Sequence, residues 1–523
     1  MFTKFLTKKY FLIFLLAFFL NGLSLVKDYG FSWDNGIHRL MGFVNLKYIS
    51  LIFYPDLEKK FPRSKNIPDF NEHPKYNLYG SIFTLPVAII EIIFEITNND
   101  KSSDNNENVY YLSCYIIFFI YCISLLILFK TFLFLTKKNI LSFLGILCFI
   151  SSPRIFAESF YNISDIFLLC LVIFTNYFFL KFLSKNKVKN LLLATLFCAF
   201  SIITKPTAGS IAISFIMIFF ISFIIKKYTF KLFFSNSIKF FLLITIFYVI
   251  FFPFLWSNPI ENFFILIERL TNFGWHGDIF FFGELIKGMN APWYYQIVMF
   301  VLTTPGYYVI FFVMLFTYYI CSHAKSKKNV YMYYLFINLI LIFLLSSIFQ
   351  NTKYNGWRHI YFVYPFFISI IIIMINKLNI EFQNKNIYVC AIILLILSVV
   401  HNTFWIINNH PNQYAYFNNF IKDNHKKFDI DWWGISNKQV FNYLDQIDKR
   451  DKVYIYSDGP SLRSTLVRMN QSVKDKIFIT KKIIESNYII TNFISDKDFE
   501  KKFIKIHEIK TDQSIISTIY KVK

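Results

Sequence analysis

The chain has 523 residues and a formal net charge of +22, and 55% of its residues are hydrophobic, 68 of them phenylalanine. Together, that apolar share, the phenylalanine content and a mean hydropathy of +0.45 lie far outside the range of a soluble globular domain. Apolar runs of about 18 residues or more, the length an α-helix needs to cross about 30 Å of hydrocarbon, recur from Tyr10 to Ile407. The basic balance does not point to nucleic acid, because lysines in short loops between spans are what membrane orientation demands and no basic groove with interleaved aromatics is present.

The first run, Tyr10 to Val26, follows Lys4, Lys8 and Lys9 and has no small-residue cleavage site after it. It is expected to be an uncleaved first helix with its N-terminus in the cytoplasm. A polar loop, 27–77, follows. Residues 78–97 are apolar enough to span, yet counting them as a crossing would invert every lysine-rich loop downstream. They are expected to form a re-entrant or interface-lying helix, with Thr97 to Asn108 returning on the same side. Spans are then expected near 112–136, 139–152, 163–182, 190–204, 207–225, 239–256, 301–321, 330–350, 359–376 and 386–407.

Lysine clusters at Lys137–Lys138, Lys181 to Lys189, Lys226 to Lys231, Lys325 to Lys328 and Lys377 to Lys385 mark the cytoplasmic ends. Loops 27–77 and 257–300, and everything after 408, then fall outside. The cysteines lie in or beside apolar segments, so no disulfide framework or CxxC metal site is expected outside the membrane. Beyond 408 a helix-like stretch, Lys438 to Ile447, precedes short β-type runs at Lys452 to Tyr456, Lys476 to Thr480, Tyr488 to Thr491 and Ser514 to Tyr520. The expected architecture is an all-α polytopic membrane protein of about eleven transmembrane helices (1–407) followed by a small extracytoplasmic α/β domain (408–523). No Gly-rich phosphate loop is present in that domain.

Chemically capable residues gather on the expected outer side: Asp28, Asp34, His38, His73, Arg154, Glu158, Asp165, Lys205, His276, Asp278, Glu284, Arg358, His359, His410 and Asp431. Ionisable groups at span ends are costly unless they line a cavity, so a convergent set is a candidate site. Arg358 offers a planar fork for phosphate oxygens and His359 adds a donor, with Lys205 and Arg154 as further cations. Snorkelling beside Trp357 and Tyr361 is the competing reading for Arg358, and helix capping is the competing reading for Asp34 and Asp165. The loop 257–300 holds Trp275-His276-Gly277-Asp278, Glu284 and Trp293-Tyr294-Tyr295. Aromatics beside polar groups suit a sugar face, a weak signal in a chain that is 21% aromatic. The histidines lack HxxxH or HExxH spacing, so no metal and no cofactor is expected.

Several of these residues sit in short patterned stretches. They are Trp33-Asp34-Asn35-Gly36, His73-Pro74, Ser152-Pro153-Arg154, Asn162-Ile163-Ser164-Asp165, Lys205-Pro206 and Trp357-Arg358-His359. In this order, over about residues 10–435, they resemble the GT-C glycosyltransferases, the multi-spanning family that includes protein O-mannosyltransferases and the aminoarabinose transferases of lipid A. Asp34, His73-Pro74, Pro153 and Asp165 match the family's acidic residue of the first outer loop, its His-Pro, and the Pro and Asp of the second outer corner. Asn35 stands where Glu is usual, leaving one acid in place of two.

The resemblance implies a membrane glycosyltransferase that moves a sugar from a polyprenyl phosphate to an acceptor hydroxyl on the outer face, the acceptor being a glycan, lipid or protein. For such a reaction the chemistry of the residues points to Asp34 as base, with Asp165 as the second catalytic candidate. The leaving phosphate would fall to Arg358, His359, Lys205 and Arg154, and substrate contact to His73, His276, Glu284 and Trp293. Desolvation strengthens a carboxylate as a base, and Trp33 is the expected apolar wall for Asp34. A lipid-linked glycan flippase or transporter, or a polysaccharide polymerase, is the alternative reading; a transporter would show internal repeats and charges near the midplane.

Overall fold

The computed structural model describes residues 2–522 apart from 61–64, 74–75, 95–106, 273–275, 323–328, 349–352, 381–383, 458–461 and 493–497. Pro74, Trp275, Lys325 to Lys328 and most of the stretch Thr97 to Asn108 lie outside the described residues.

The apolar runs are helical because hydrocarbon offers no partner for an exposed N–H or C=O. In chain order the helices are α1 (Phe2–Leu25), α2 (Asn35–Phe53), α3 (Ser81–Ile93), α4 (Glu107–Thr136), α5 (Asn139–Ile150), α6 (Pro153–Glu158), α7 (Asp165–Lys185) and α8 (Val188–Thr204). They continue with α9 (Gly209–Ile224), α10 (Phe230–Phe251), α11 (Pro259–Thr271), α12 (Tyr295–Thr303), α13 (Gly306–Ser322), α14 (Val330–Ile348), α15 (Tyr364–Ile380) and α16 (Lys385–Asn408). Among the described residues seven helical segments are long and apolar enough to cross a membrane, and α12 with α13 form an eighth, bent candidate. The shorter apolar helices in α1, α5 and α8 occupy the remaining expected span positions.

One expected span takes a different form. The single span at 301–321 is a pair, α12 and α13, bent by 110°. Pro305 has no N–H and disfavours the helical region for Thr304, whose ψ is 142°. Asn418 Nδ2 supports the break by donating to the carbonyls of Val301 (2.6 Å) and Thr304 (2.9 Å). Within 78–97 the helix α3 has 13 residues with Pro86 inside it, roughly 20 Å of rise and therefore shorter than the hydrocarbon core.

Helix α15 is apolar on every side, and each residue from Tyr364 to Leu378 is buried, which makes it the axis of the bundle. The lysine-bearing turns meet at one end of it: Lys181 Nζ stands 5.3 Å from the Phe134 ring, Lys227 Nζ donates to Leu183 O (2.8 Å), and Asn376 Nδ2 donates to Thr136 O (3.1 Å). The turns carrying Arg154, Lys205 and Arg358 lie at the other end, joined through Asp165 and Glu158.

The chain after α16 first packs back onto that end and then forms α17 (Asn437–Ile447) and a five-stranded sheet. Two strands, β1 (Asp278–Phe281) and β2 (Glu284–Lys287), form a hairpin in the long loop before α12. The C-terminal sheet orders β4 (Ile477–Ile479), β3 (Val453–Ser457), β5 (Tyr488–Asn492), β7 (Ile515–Lys521) and β6 (Ile504–Lys510). Strand β3 is parallel to β4 and β5, and β7 is antiparallel to β5 and β6. The C-terminal region grips the first loop closely: a Cβ at Gly30 would lie 2.0 Å from Ile435 O, and Lys438 Nζ donates to Lys27 O (2.6 Å) and Tyr111 Oη (2.8 Å).

Candidate active site

Each residue of the site is delivered by a helix end. Asp34 is the N-cap of α2, but its side chain makes no capping hydrogen bond; its Oδ2 lies 3.6 Å from Arg358 Nη1. Asp165 is the first residue of α7. Asn162 holds it in place, accepting from the Asp165 backbone N–H at Oδ1 (3.0 Å) and donating from Nδ2 to Asp165 Oδ2 (2.9 Å) and Glu158 Oε2 (2.7 Å). Lys205 follows α8 and precedes Pro206, which forces it into extended backbone (φ −152°, ψ 129°) and ends the helix there. Its ammonium donates to Asp165 Oδ1.

Arg358 opens the turn before α15. Gly356 takes the left-handed φ of +70°, and its backbone N–H donates to Tyr295 Oη (2.8 Å). The Trp432 ring lies 2.9 Å from where a Cβ at Gly356 would stand. Trp357 is buried and donates from its indole to Thr303 Oγ1 (2.6 Å), so its neighbour Arg358 is carried inward. The guanidinium sits 4.3 Å from the Trp433 ring and 5.2 Å from that of Tyr354. Its Nη1 is shared between Asp34 Oδ2 at 3.6 Å and Asp165 Oδ2 at 3.8 Å. These are loose ion-pair distances, and among the described residues the buried Arg358 Nε has no hydrogen-bond partner. Two carboxylates and two cations thus compensate one another in a buried setting, where either sign alone would be costly, and one guanidinium keeps donor capacity for a further anion.

The structure therefore brings together Asp34, Asp165, Lys205 and Arg358. His359 is adjacent and half-buried, with its ring 4.3 Å from Tyr354 and its carbonyl accepting from Thr207 Oγ1 (3.3 Å). Arg154 has a different setting from the one expected. It is fully buried between the rings of Phe417 (5.3 Å) and Trp432 (5.0 Å) and donates to Tyr416 O (3.2 Å). The expected substrate contacts stay on the surface: His73, His276 and Glu284 are exposed, and Trp293 is 64% exposed. Trp33, the expected apolar wall for Asp34, is 45% exposed.

Several participants had no role assigned from sequence. His38 follows Asp34 by four residues on α2, the spacing that puts two side chains on one helix face, and it feels Asp34, Asp165, Lys205 and Arg358. Burial lowers its imidazole to about 4, so it is neutral at physiological pH. Glu158 accepts from Tyr361 Oη (2.5 Å) as well as from Asn162, and burial raises its carboxyl to about 7. Trp433 and Tyr354 supply the aromatic faces beside Arg358. Among the described residues no group of three or more His, Cys, Asp or Glu side chains is placed to hold a metal ion.

The fold and this cluster define a multi-spanning membrane protein with a buried acid–cation centre at one end of its bundle. Residues 85–256 match the family model described as dolichyl-phosphate-mannose-protein mannosyltransferase. Among solved structures, ArnT from Cupriavidus metallidurans, whose crystal structure is bound to undecaprenyl phosphate, aligns over 96% of this chain and 97% of its own, with 9% sequence identity and a TM-score of 0.43. No curated protein matches this chain. The family match covers the segment that carries Asp165 and Lys205.

Proposed function

We propose that this protein transfers a sugar from a polyprenyl-phosphate donor to an acceptor hydroxyl on the extracytoplasmic face of the membrane. The observation that carries the reading is Arg358, one guanidinium shared loosely by Asp34 and Asp165 and backed by Lys205. The matched family is described by a sugar on dolichyl phosphate, a donor of the same polyprenyl-phosphate class.

In this mechanism the donor phosphate enters against Arg358, Lys205 and His359. Arg358 turns from Asp34 toward the phosphate oxygens, which frees the Asp34 carboxylate to act as base. The acceptor oxygen bonds to the anomeric carbon while its proton passes to Asp34. The bond between that carbon and the phosphate oxygen breaks, and the lipid phosphate leaves with the electron pair. The negative charge that develops there meets fixed cations in a site shielded from water, the arrangement that lowers such a barrier most. Asp165 keeps Lys205 and Arg358 in place throughout. The cations sit at helix ends rather than near the middle of the bundle, where a transporter would hold them.

The test is incubation of the purified protein with radiolabelled polyprenyl-phosphate sugars and an extract of cell-envelope acceptors. Release of free lipid phosphate coupled to labelled product supports the reading. Binding and movement of intact donor across proteoliposome membranes without release would replace it with a flippase.

A further inference from the structure

Three lysine-bearing stretches meet at the end of the bundle away from Arg358: the turn after α4, the end of α7 with its turn, and the turn from α9 into α10. Residues 131–140, 181–190 and 221–240 hold ten lysines and no aspartate or glutamate. Lysines in such turns orient a membrane protein wherever in the turn they stand, but three of these converge on one pair of touching rings. Lys137 Nζ stands 4.4 Å and Lys181 Nζ 5.3 Å from the Phe134 ring, and Lys227 Nζ stands 5.2 Å from that of Tyr331. The two rings meet edge to face at 5.5 Å.

Among the described residues none of the three ammonium groups forms an ion pair, and Lys227 spends one donor on Leu183 O (2.8 Å). An aromatic face positions a cation but leaves its N–H donors and its charge for an anion. Partial burial and the charge of Lys181 hold the Lys137 ammonium below the ordinary lysine range. Lys137 also closes α4 in the left-handed region, at φ +60°, with its N–H bonded to Leu133 O (2.9 Å). Glycine or asparagine is the cheap occupant of that position, so the lysine side chain is kept there at a conformational cost.

Lys130 carries the cluster into the membrane. Phe119, Ile123, Lys130, Phe134 and Lys137 recur at the spacing of one face of α4, and Phe119, Ile123 and Lys130 are exposed on it. An ammonium on the lipid-facing side of a span is costly unless it reaches toward an anion at the interface.

We propose that this end of the bundle binds an anionic phospholipid, its phosphate held by Lys130, Lys137 and Lys181 with Lys227 as a further charge, and its acyl chains lying along Phe119 and Ile123. The position of Lys130 is what selects a lipid over a soluble phosphate, because a soluble anion does not enter the hydrocarbon edge. The site is independent of the acid–cation centre at the other end of the bundle.

Native mass spectrometry of the full-length protein in detergent tests this, with dioleoylphosphatidylglycerol, dioleoylphosphatidylcholine and glycerol 3-phosphate as probes. The wild-type protein is expected to bind the phosphatidylglycerol about tenfold more tightly than the phosphatidylcholine, and glycerol 3-phosphate should not displace it. The double variant Lys137→Ala with Lys181→Ala should lose the preference, and Lys137→Arg with Lys181→Arg should keep it. Lys185→Ala with Lys189→Ala, which removes two exposed lysines of the same turn outside the cluster, should also keep it. Equal binding of the two lipids to wild type would overturn the site. An equal loss in the Lys185 and Lys189 variant would reduce the effect to general surface charge, and displacement by glycerol 3-phosphate would make the ligand a soluble anion; either result overturns the proposal. A phosphatidylglycerol with a photoreactive diazirine in its acyl chain gives a reading on the wild-type protein alone, whether or not the alanine variant folds. Its label should map to α4 around Phe119 and Ile123, and label spread evenly over the lipid-facing helices would overturn the site.

Discussion

Arg358 Nη1 stands 3.6 Å from Asp34 Oδ2, an ion pair that ties the first loop to the turn that opens the central helix. If this guanidinium forks onto a leaving phosphate, lysine cannot reproduce the two-pronged geometry. Arg358→Lys is expected to lower turnover by about a hundredfold, the scale for loss of one charge-stabilising donor. Because charge is kept and only the stacking on Trp433 and Tyr354 is lost, thermal stability should fall by no more than about 1 kcal/mol. Turnover with saturating donor, measured beside a melting curve, decides the matter. Equal turnover of the Lys variant would return Arg358 to the role of an interface anchor.

Glu158 gives a pH signature. Burial raises its carboxyl from 4.5 to about 7, so the folded chain holds a proton there that the unfolded chain has released. Stability therefore declines as pH rises from about 4.5 to 7 and is level above that, an effect of at most about 3 kcal/mol. His38, lowered to about 4, tilts the opposite way below pH 6.5, but it is common to both proteins and cancels in the comparison. Glu158→Gln should be less stable than wild type at pH 5 and should close the gap by pH 8. Melting curves at the two pH values check this, and a gap unchanged with pH would refute it.

Gly30 is packed against Ile435 O so closely that any Cβ must displace backbone. Gly30→Ala is expected to cost about 1–3 kcal/mol by overpacking and to loosen the C-terminal region from the first loop. Limited proteolysis should release a fragment beginning near residue 410 from this variant faster than from wild type. Unchanged cleavage would show that the contact is not what seats the region.

The sidedness we propose follows from the lysine-bearing turns, which gather at the end of the bundle opposite Asp165 and Arg358. Phosphatase fused after Ile407 should be active, and a cytoplasmic reporter at the same place silent. The reverse pattern would put the site on the cytoplasmic face and end the account of an extracytoplasmic transferase.

Most of the helices were legible because apolar runs and lysines report directly on a bilayer. The break at Thr304 was less so: Pro305 is visible in the sequence, but the 110° bend depends on Asn418, more than a hundred residues away, bonding the freed carbonyls. Strand β6 (Ile504–Lys510), with its alternation blurred by charged residues and a bulge, was not read as a strand. Asp34, Asp165, Lys205 and Arg358 were picked out because charges at helix ends are costly and therefore conspicuous. Arg154 carried the same signal, yet two aromatic rings absorb it, and no local pattern distinguishes an arginine that faces a ligand from one that faces tryptophan. His276, Glu284 and Trp293 were chosen for chemistry alone and His73 for its place in the His73-Pro74 pair, and the fold leaves all four at the surface.

The central claim is that Asp34 takes the acceptor proton as lipid phosphate leaves. The most direct measurement is single-turnover release of lipid phosphate from bound polyprenyl-phosphate sugar, with acceptor present, by wild type and Asp34→Asn at matched donor occupancy. Asparagine keeps the shape and still binds donor but cannot accept the proton, so release should slow by about a hundredfold or more. Release within a few-fold of wild type at equal occupancy would contradict the account and remove Asp34 as the base.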